Sequence, residues 1–310
     1  MSRLSLLDAN FLMAENRETP MHVGGINLYQ YPKGVNKRAF LAGLKEILLS
    51  TEDLRAPFNQ RLSQNLLSRA NLTFTWERDR DIDIEYHVRH SALPKPGRYR
   101  ELFTLVSRLH STLLDRNRPL WELHLIEGLA NNQFATYVKL HHCMMDGVGA
   151  MHLTQSMLSQ SPEGQIDYSP LSRRAWEKYK SQLAPAPGDS AITREDIRSL
   201  SGRITSQIGS SVNLAGALLK YANVWVGGGR PLNVPWHAVP QSTISSSVSG
   251  SRRFVAQSWP YQRIRAAGKA LGGTLNDTVL AMCAGALRRY LEDAGELPRK
   301  PLKAMVPMSL

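Results

Sequence analysis

The sequence predicts an α/β fold, and three observations carry that expectation. Segments with the period of a strand alternate with segments with the period of a helix, and two strand-like segments flank an Asn131-Asn132 turn. A stretch rich in helix breakers then divides the chain into two such halves. At 310 residues the chain is long enough for two domains.

Residues 23–31 read as a strand, and residues 37–50 as an amphipathic helix with Phe40, Leu41, Leu44, Ile47 and Leu48 at helical spacing. Residues 72–76 are strand-like, and residues 98–114 form a helix whose Leu102, Val106, Leu109 and Leu113 share a face. Strands at 121–127 and 134–142 make a hairpin, because asparagines tolerate the positive φ of the turn between them. A helix over 147–159 completes a first half, residues 1–160. Ser161-Pro162-Glu163-Gly164 and the Ala-Pro-Ala-Pro-Gly-Asp-Ser run that follows mark residues 161–192 as a linker. In residues 193–310 the pattern restarts: mostly helix at 194–226 up to Gly227-Gly228-Gly229, a Ser-rich loop at 241–251, a strand at 253–259, helices at 261–271 and 276–294, and a strand at 302–308. The chain stops inside that last strand pattern, so it is expected to be truncated, with residues 193–310 only the beginning of a second half.

Lys and Arg number 38 against 26 Asp and Glu, a net charge of +12, and such a surface attracts polyanions. Scattered pairs such as Arg173-Arg174, Arg252-Arg253 and Arg288-Arg289 come without any nucleic-acid-binding motif, so an anionic membrane surface or a phosphorylated small molecule is expected ahead of nucleic acid. Two cysteines, Cys143 and Cys283, suit a reducing compartment and provide no structural metal framework. With no secretory leader and no long apolar span, the expected location is the cytoplasm.

Phosphate loops, dinucleotide fingerprints, nucleophile elbows and HExxH motifs are absent. The concentrated polar cluster is His141-His142-Cys143-Met144-Met145-Asp146-Gly147. Strand parity puts His142 on one face with Val138 and Leu140, and His141 on the other with Tyr137 and Lys139. An imidazole titrates near neutral pH, so a cleft-facing His142 is the candidate base, with two packed strand-end histidines as the bland alternative. Asp146 stands where it could cap the following helix or fix the turn through a charge pair. His142 and Asp146 lack an evident third ligand, so no metal is expected. His22, His87, His90, His110, His124, His152 and His237 receive no role. Trp121 reads as core, and Asn276-Asp277 as a helix start.

His-His-x-x-x-Asp-Gly from His141 to Gly147 resembles the signature of the chloramphenicol-acetyltransferase-like acyltransferases. With Arg118-Pro119-Leu120-Trp121-Glu122, Leu125 to Leu129, Asn276-Asp277 and Val306-Pro307-Met308-Ser309, the chain is similar to the bacterial wax ester synthase/diacylglycerol acyltransferase family. The resemblance implies a two-layer α/β sandwich of two halves around an active-site tunnel, of which this chain holds the N-terminal half and the start of the second. It places the general base on His142, with His141, Asp146 and Gly147 as supporting motif. Pro119, Leu120, Trp121, Asn276 and Asp277 become structural or pocket-shaping. It further implies fatty acyl transfer from acyl-coenzyme A, as co-substrate and with no bound cofactor, to a long-chain alcohol or diacylglycerol. The expected partners are the C-terminal segment of the same protein and the inner membrane face or a lipid inclusion. The competing readings are a non-catalytic scaffold half that binds lipid or that segment, and a carrier-protein-dependent condensation-type enzyme.

Overall fold

The computed structural model describes residues 2–65, 74–145, 147–159, 161, 168–182 and 239–304. They fall into two compact units, one comprising Met1–Ala184 with Val248–Gln257 and the other Pro185–Ser247 with Ser258–Leu310.

The first unit is built on a four-stranded sheet of β2 (His22–Gln30), β5 (Val88–Ala92), β6 (Trp121–Leu129) and β7 (Gln133–His141), in the order β2-β7-β6-β5. The expected hairpin is β6–β7, and its turn holds Asn131 and Asn132 at φ 60° and 58°. β5 runs parallel to β6 because helix α4 (Tyr99–His110) makes the crossover between them. A smaller antiparallel sheet, β1 (Ser2–Arg3), β4 (Thr75–Arg78) and β3 (Gln60–Leu62), lies beside α1 (Leu6–Ala14).

Period-two burial sorts the large sheet into two faces. Trp121, Leu123 and Leu140 pack with Leu48 of α2 (Lys37–Leu49) and Leu153 of α5 (Gly147–Ser156). Ile126, Ala135 and Tyr137 meet Leu102 and Val106 of α4 on the opposite face. Helices therefore cover both faces, and β6 reads as a nearly continuous apolar run. A short helix α3 (Ile84–His87) leads into β5 and carries His87, whose ring stacks on Trp121 at 4.6 Å. Trp121 Nε1–H donates to the Phe58 carbonyl at 2.9 Å and His87 Nδ1–H to the Trp121 carbonyl at 2.7 Å.

One buried charge fastens α4 to the sheet. Lys139 is fully buried, and its ammonium donates to the carbonyls of Leu109 and Thr112 at 3.0 and 2.8 Å while standing 3.4 Å from Glu122 Oε2. Those carbonyls lie in the last turn of α4 and just past its C-cap, where a cation complements the helix dipole. Glu122 also pairs with His124 at 3.1 Å and Arg89 at 3.7 Å. Burial favours its neutral form, but His124, Lys139 and Arg89 outweigh that and hold its carboxyl at about 2.

Several sequence expectations need correction. Residues 161–192, expected as linker, include helix α6 (Arg173–Gln182), and Leu171, Ala175 and Tyr179 are buried in the first unit. Arg55 lies over the Trp176 ring at 4.4 Å, an attachment that breaker counting does not register. Residues 253–259 form no strand: the Arg252 and Phe254 amides donate to the hydroxyls of Ser111 and Ser107 at 3.0 and 2.8 Å. Four helical residues rise about 6 Å, and two extended residues about 6.7 Å, so alternate amides of an extended segment fit that serine pair without a neighbouring strand. Residues 302–304 carry no regular structure. The expected helix at 194–226, the glycines 227–229, residues 72–73 and residues 305–308 lie outside the described residues.

In the second unit, α7 (Tyr261–Ala270) packs with α8 (Leu275–Asp293). Thr274 is the N-cap of α8, and Asp277 closes a capping box by accepting from Thr274 N–H at 2.8 Å. Asp277 thus stands at the helix start that the sequence indicated.

Trp121→Ala should destabilise the first unit by about 3–5 kcal/mol, since it leaves a cavity and strands the Phe58 carbonyl. Urea unfolding followed by the remaining tryptophans measures this, and a loss below about 1 kcal/mol would contradict the packing role.

Candidate active site

The two histidines sit at the C-terminal end of β7 and do different things. β7 pairs with β2, so His141 lies opposite His22, and the chain past the strand stays anchored because His142 N–H donates to the Met21 carbonyl at 2.9 Å. The preceding Pro-Leu-Trp segment holds the same point from the other side. The His141 amide donates to the Leu120 carbonyl at 3.0 Å, and Leu120 is buried beside Cys143. Leu120 thus supports the strand end, the Pro119 carbonyl accepts from the Trp121 amide at 2.9 Å, and Trp121 is packed in the adjoining core.

His141 is fully buried. The Cys143 amide donates to its Nδ1 at 3.1 Å, so the ring proton resides on Nε2, which faces Glu15 Oε1 at 3.4 Å. That separation is a polar contact longer than a good hydrogen bond. Glu15 also accepts from the Met21 amide at 3.1 Å and pairs with Arg116 at 3.2 Å. Burial by itself would raise the Glu15 carboxyl, but His141, the Met21 amide and Arg116 prevail and hold it at about 2.

His142 is only partly buried, and its ring stacks on Phe11 with centroids 4.1 Å apart. Phe11 and Glu15 are four residues apart, so one side of α1 and its C-cap serve both histidines: Phe11 supports His142 and Glu15 holds His141. His142 borders a cavity of about 280 Å³ lined chiefly by Gly24, Gly25, Val138, Leu140, Met145 and Met157. Val138 and Leu140 are the residues that strand parity assigns to the His142 face. A Cβ on Gly24 would come 2.7 Å from the Tyr137 hydroxyl, so the close approach of β2 to that ring needs glycine.

Behind this site lies a second polar layer. His22 Nε2–H donates to the His110 carbonyl at 2.7 Å, and His110 Nδ1 is 2.8 Å from the Tyr137 hydroxyl. Burial lowers the His22 pKa to about 4 and also depresses His110 and His87, so these rings are neutral near pH 7. The buried Cys143 thiol is pushed well above its ordinary value by desolvation and by Asp8 and Glu15.

Gly147 opens α5 and borders the cavity, whereas Asp146 lies outside the described residues. Asn276 and Asp277 belong to the second unit. Sequence reasoning missed Glu15, Phe11 and Arg116; the available signal was a carboxylate four residues beyond an aromatic in a capped helix, which also fits an ordinary surface position.

The sign of the pH dependence follows from these shifts. His22 has a folded pKa of about 4, below its ordinary 6.5, so its contribution is present above 6.5 and is lost as pH falls toward 4. Glu15, held at about 2 from an ordinary 4.5, contributes above 4.5 and loses that contribution as pH falls toward 2. Melting temperature should therefore decline in two overlapping acid stages. Glu15→Gln should lower stability at pH 7 by about 1–3 kcal/mol and flatten the lower stage only; an unchanged acid limb would show that Glu15 is not held ionised.

The model of the wax ester synthase/diacylglycerol acyltransferase catalytic domain matches residues 4–279. A putative diacylglycerol O-acyltransferase of Mycobacterium tuberculosis is 42% identical over 308 residues, covering 99% of this chain and 64% of that protein. The O-acyltransferase WSD of Acinetobacter baylyi is 37% identical over 310 residues, covering all of this chain and 64% of its own length. The solved wax ester synthase/diacylglycerol acyltransferase from Marinobacter aquaeolei VT8 superposes with a TM-score of 0.68 at 38% identity, over 97% of this chain and 63% of that one. This chain thus spans just under two thirds of the length of these relatives, and its architecture is that of their solved member. With the histidine motif at the end of β7 and the family match running through both units, the chain belongs to the wax ester synthase/diacylglycerol acyltransferase family.

Proposed function

We propose that the protein transfers a fatty acyl group from acyl-coenzyme A to the hydroxyl of a long-chain alcohol or of diacylglycerol, with His142 as general base. The observation that carries this reading is the pairing of a partly buried imidazole with an apolar cavity at its edge. An acceptor hydroxyl on a hydrocarbon tail needs both. The relatives named as acyltransferases support the reaction class.

His142 takes the proton from the acceptor hydroxyl as its oxygen attacks the thioester carbonyl. The tetrahedral intermediate collapses with loss of the coenzyme A thiolate, and the imidazolium returns the proton to that sulfur. Thiolate is a good leaving group, so deprotonating the alcohol is the main demand on the protein, and one positioned base suffices. His141 acts on the backbone instead: its contacts with Glu15 and the Cys143 amide keep the turn that presents His142 in place. Gly147 leaves the cavity rim free of a side chain.

Among the described residues no helix is long and apolar enough to cross a membrane. A net charge of +12 supports peripheral attachment to an anionic membrane face or lipid inclusion, where apolar acceptors reside. The C-terminal region present in the longer relatives is the natural intramolecular partner of this chain.

Thiol release from palmitoyl-coenzyme A with hexadecanol, measured with and without that region supplied in trans, tests the reaction. His142→Ala should reduce turnover by about 10²–10⁴-fold with the fold intact, and retention of more than about a tenth of the rate would remove His142 as the base. Gly25 pairs with Val138 and so lies on the cavity face, where an added Cβ meets nothing within 4 Å. Gly25→Leu should therefore fill the cavity and shift preference toward shorter chains, read as kcat/KM across a series of alcohols and acyl donors. An unaltered profile in both series would mean that this cavity holds neither chain.

A further inference from the structure

The first unit holds a second cavity, of about 480 Å³, bordered by Arg17, Glu18, Arg108, Gly250, Ser251 and Arg253. Its outer wall is the extended segment Val248–Gln257, which belongs to the first unit although the chain on both sides of it belongs to the second. The segment is fastened at several points. Ser111 and Ser107 accept from the Arg252 and Phe254 amides, Phe254 meets Phe103 edge-on at 5.3 Å, and Arg252 Nη2 donates to the Glu18 carbonyl at 2.9 Å. Gly250 is pressed so closely to the loop that a Cβ would lie 2.6 Å from the Arg17 carbonyl oxygen. The arginines are thereby brought together from three distant parts of the sequence.

Their charge is uncompensated. Arg17, Arg108, Arg252 and Arg253 form no ion pair with a carboxylate among the described residues, and Glu18 is the single acidic residue at the rim. Arg252 spends its donors on the backbone carbonyls of Glu18, Ser249 and Ser251, which fixes a positive charge without neutralising it. The field is felt nearby: burial is the main cause of the depressed His110 pKa, and Lys139 and Arg252 add to it. Three arginines at the border of one pocket offer guanidinium groups to phosphate oxygens, which such groups can grip bidentately.

We infer that Arg17, Arg108 and Arg253 form a phosphate-binding subsite that takes the nucleotide end of the acyl donor. This rests on the acyl-coenzyme A reading above, and it assigns the donor's phosphates to a place separate from the apolar cavity. The connection runs through the loop. Arg17 precedes by four residues Met21, whose carbonyl accepts the His142 amide, so their Cα atoms are at most about 15 Å apart. The extended pantetheine arm of coenzyme A spans a gap of that order between its phosphates and its thioester.

The test is the exchange of all three arginines, Arg17→Ala with Arg108→Ala and Arg253→Ala, read by calorimetric titration with coenzyme A and by kinetics with palmitoyl-coenzyme A. Coenzyme A affinity should fall about tenfold or more, given the strength of hydrogen bonds to charged groups. KM for the donor should rise in parallel, with kcat and the KM for hexadecanol unchanged. Inorganic pyrophosphate should compete with coenzyme A on the unmodified protein and not on the variant. An all-lysine triple variant, retaining charge but not the fork, should fall between the two. Unchanged coenzyme A affinity with lost binding to phosphatidylglycerol vesicles would overturn the assignment in favour of a lipid headgroup. Unchanged affinity for both would leave a solvated basic surface and equally overturn it. If the unmodified protein releases no thiol yet loses coenzyme A binding on arginine exchange, the subsite stands and the acyl-transfer reading falls; normal thiol release with an unchanged donor KM is the converse.

Discussion

The period of two along β7 is the constraint on which the rest of this structure depends. It sends Tyr137, Lys139 and His141 to one side and Val138, Leu140 and His142 to the other. The first group is polar and buried, and burial of such groups is tolerable only when they are partnered. The Tyr137 hydroxyl meets His110, the Lys139 ammonium meets the end of α4 and Glu122, and His141 meets Glu15 and the Cys143 amide. Each contact ties the sheet to a different neighbour, so the polar face of one strand locates α1, α4 and β6 together. The apolar group is left free to line a cavity that ends at an imidazole.

This arrangement explains why adjacent histidines are so unlike. His141 is fully buried, with Nδ1 taken by a backbone amide and Nε2 turned toward the Glu15 carboxylate, which makes it a fixture. His142 is held through its main chain and through stacking on Phe11, and its ring nitrogens make no hydrogen bond among the described residues. Removing the first disturbs the second only indirectly, through the turn they share. The helix α1 is central to both because Phe11 and Glu15 project from the same side.

The parts of the fold legible in the sequence are those determined by local pattern. The Asn131-Asn132 turn, the apolar stripe of α4 and the parity of β7 need only neighbouring residues to be read. The cap of α8 by Thr274 and Asp277 is equally local. What escaped depends on tertiary partners. Glu15 becomes a buried anion only because β2, β7 and Arg116 close around it, and the segment at 252–254 gives its Phe254 amide to Ser107 of α4 and its Arg252 amide to the C-cap Ser111 instead of to a neighbouring strand. Helix α6 was hidden by the breakers around it, although Leu171, Ala175 and Tyr179 bind it to the first unit.

The burial of Cys143 has a practical consequence for following this protein in solution. Its thiol lies in the core next to Leu120 and is kept protonated by its surroundings, whereas Cys283 is exposed on α8. Thiolate is the species that alkylating reagents attack. A maleimide fluorophore added to the folded native chain would therefore mark the second unit selectively, giving a spectroscopic reporter without engineering. Slow appearance of a second equivalent of label would time the opening of the core around the histidine pair, a clock for local unfolding built into the natural sequence.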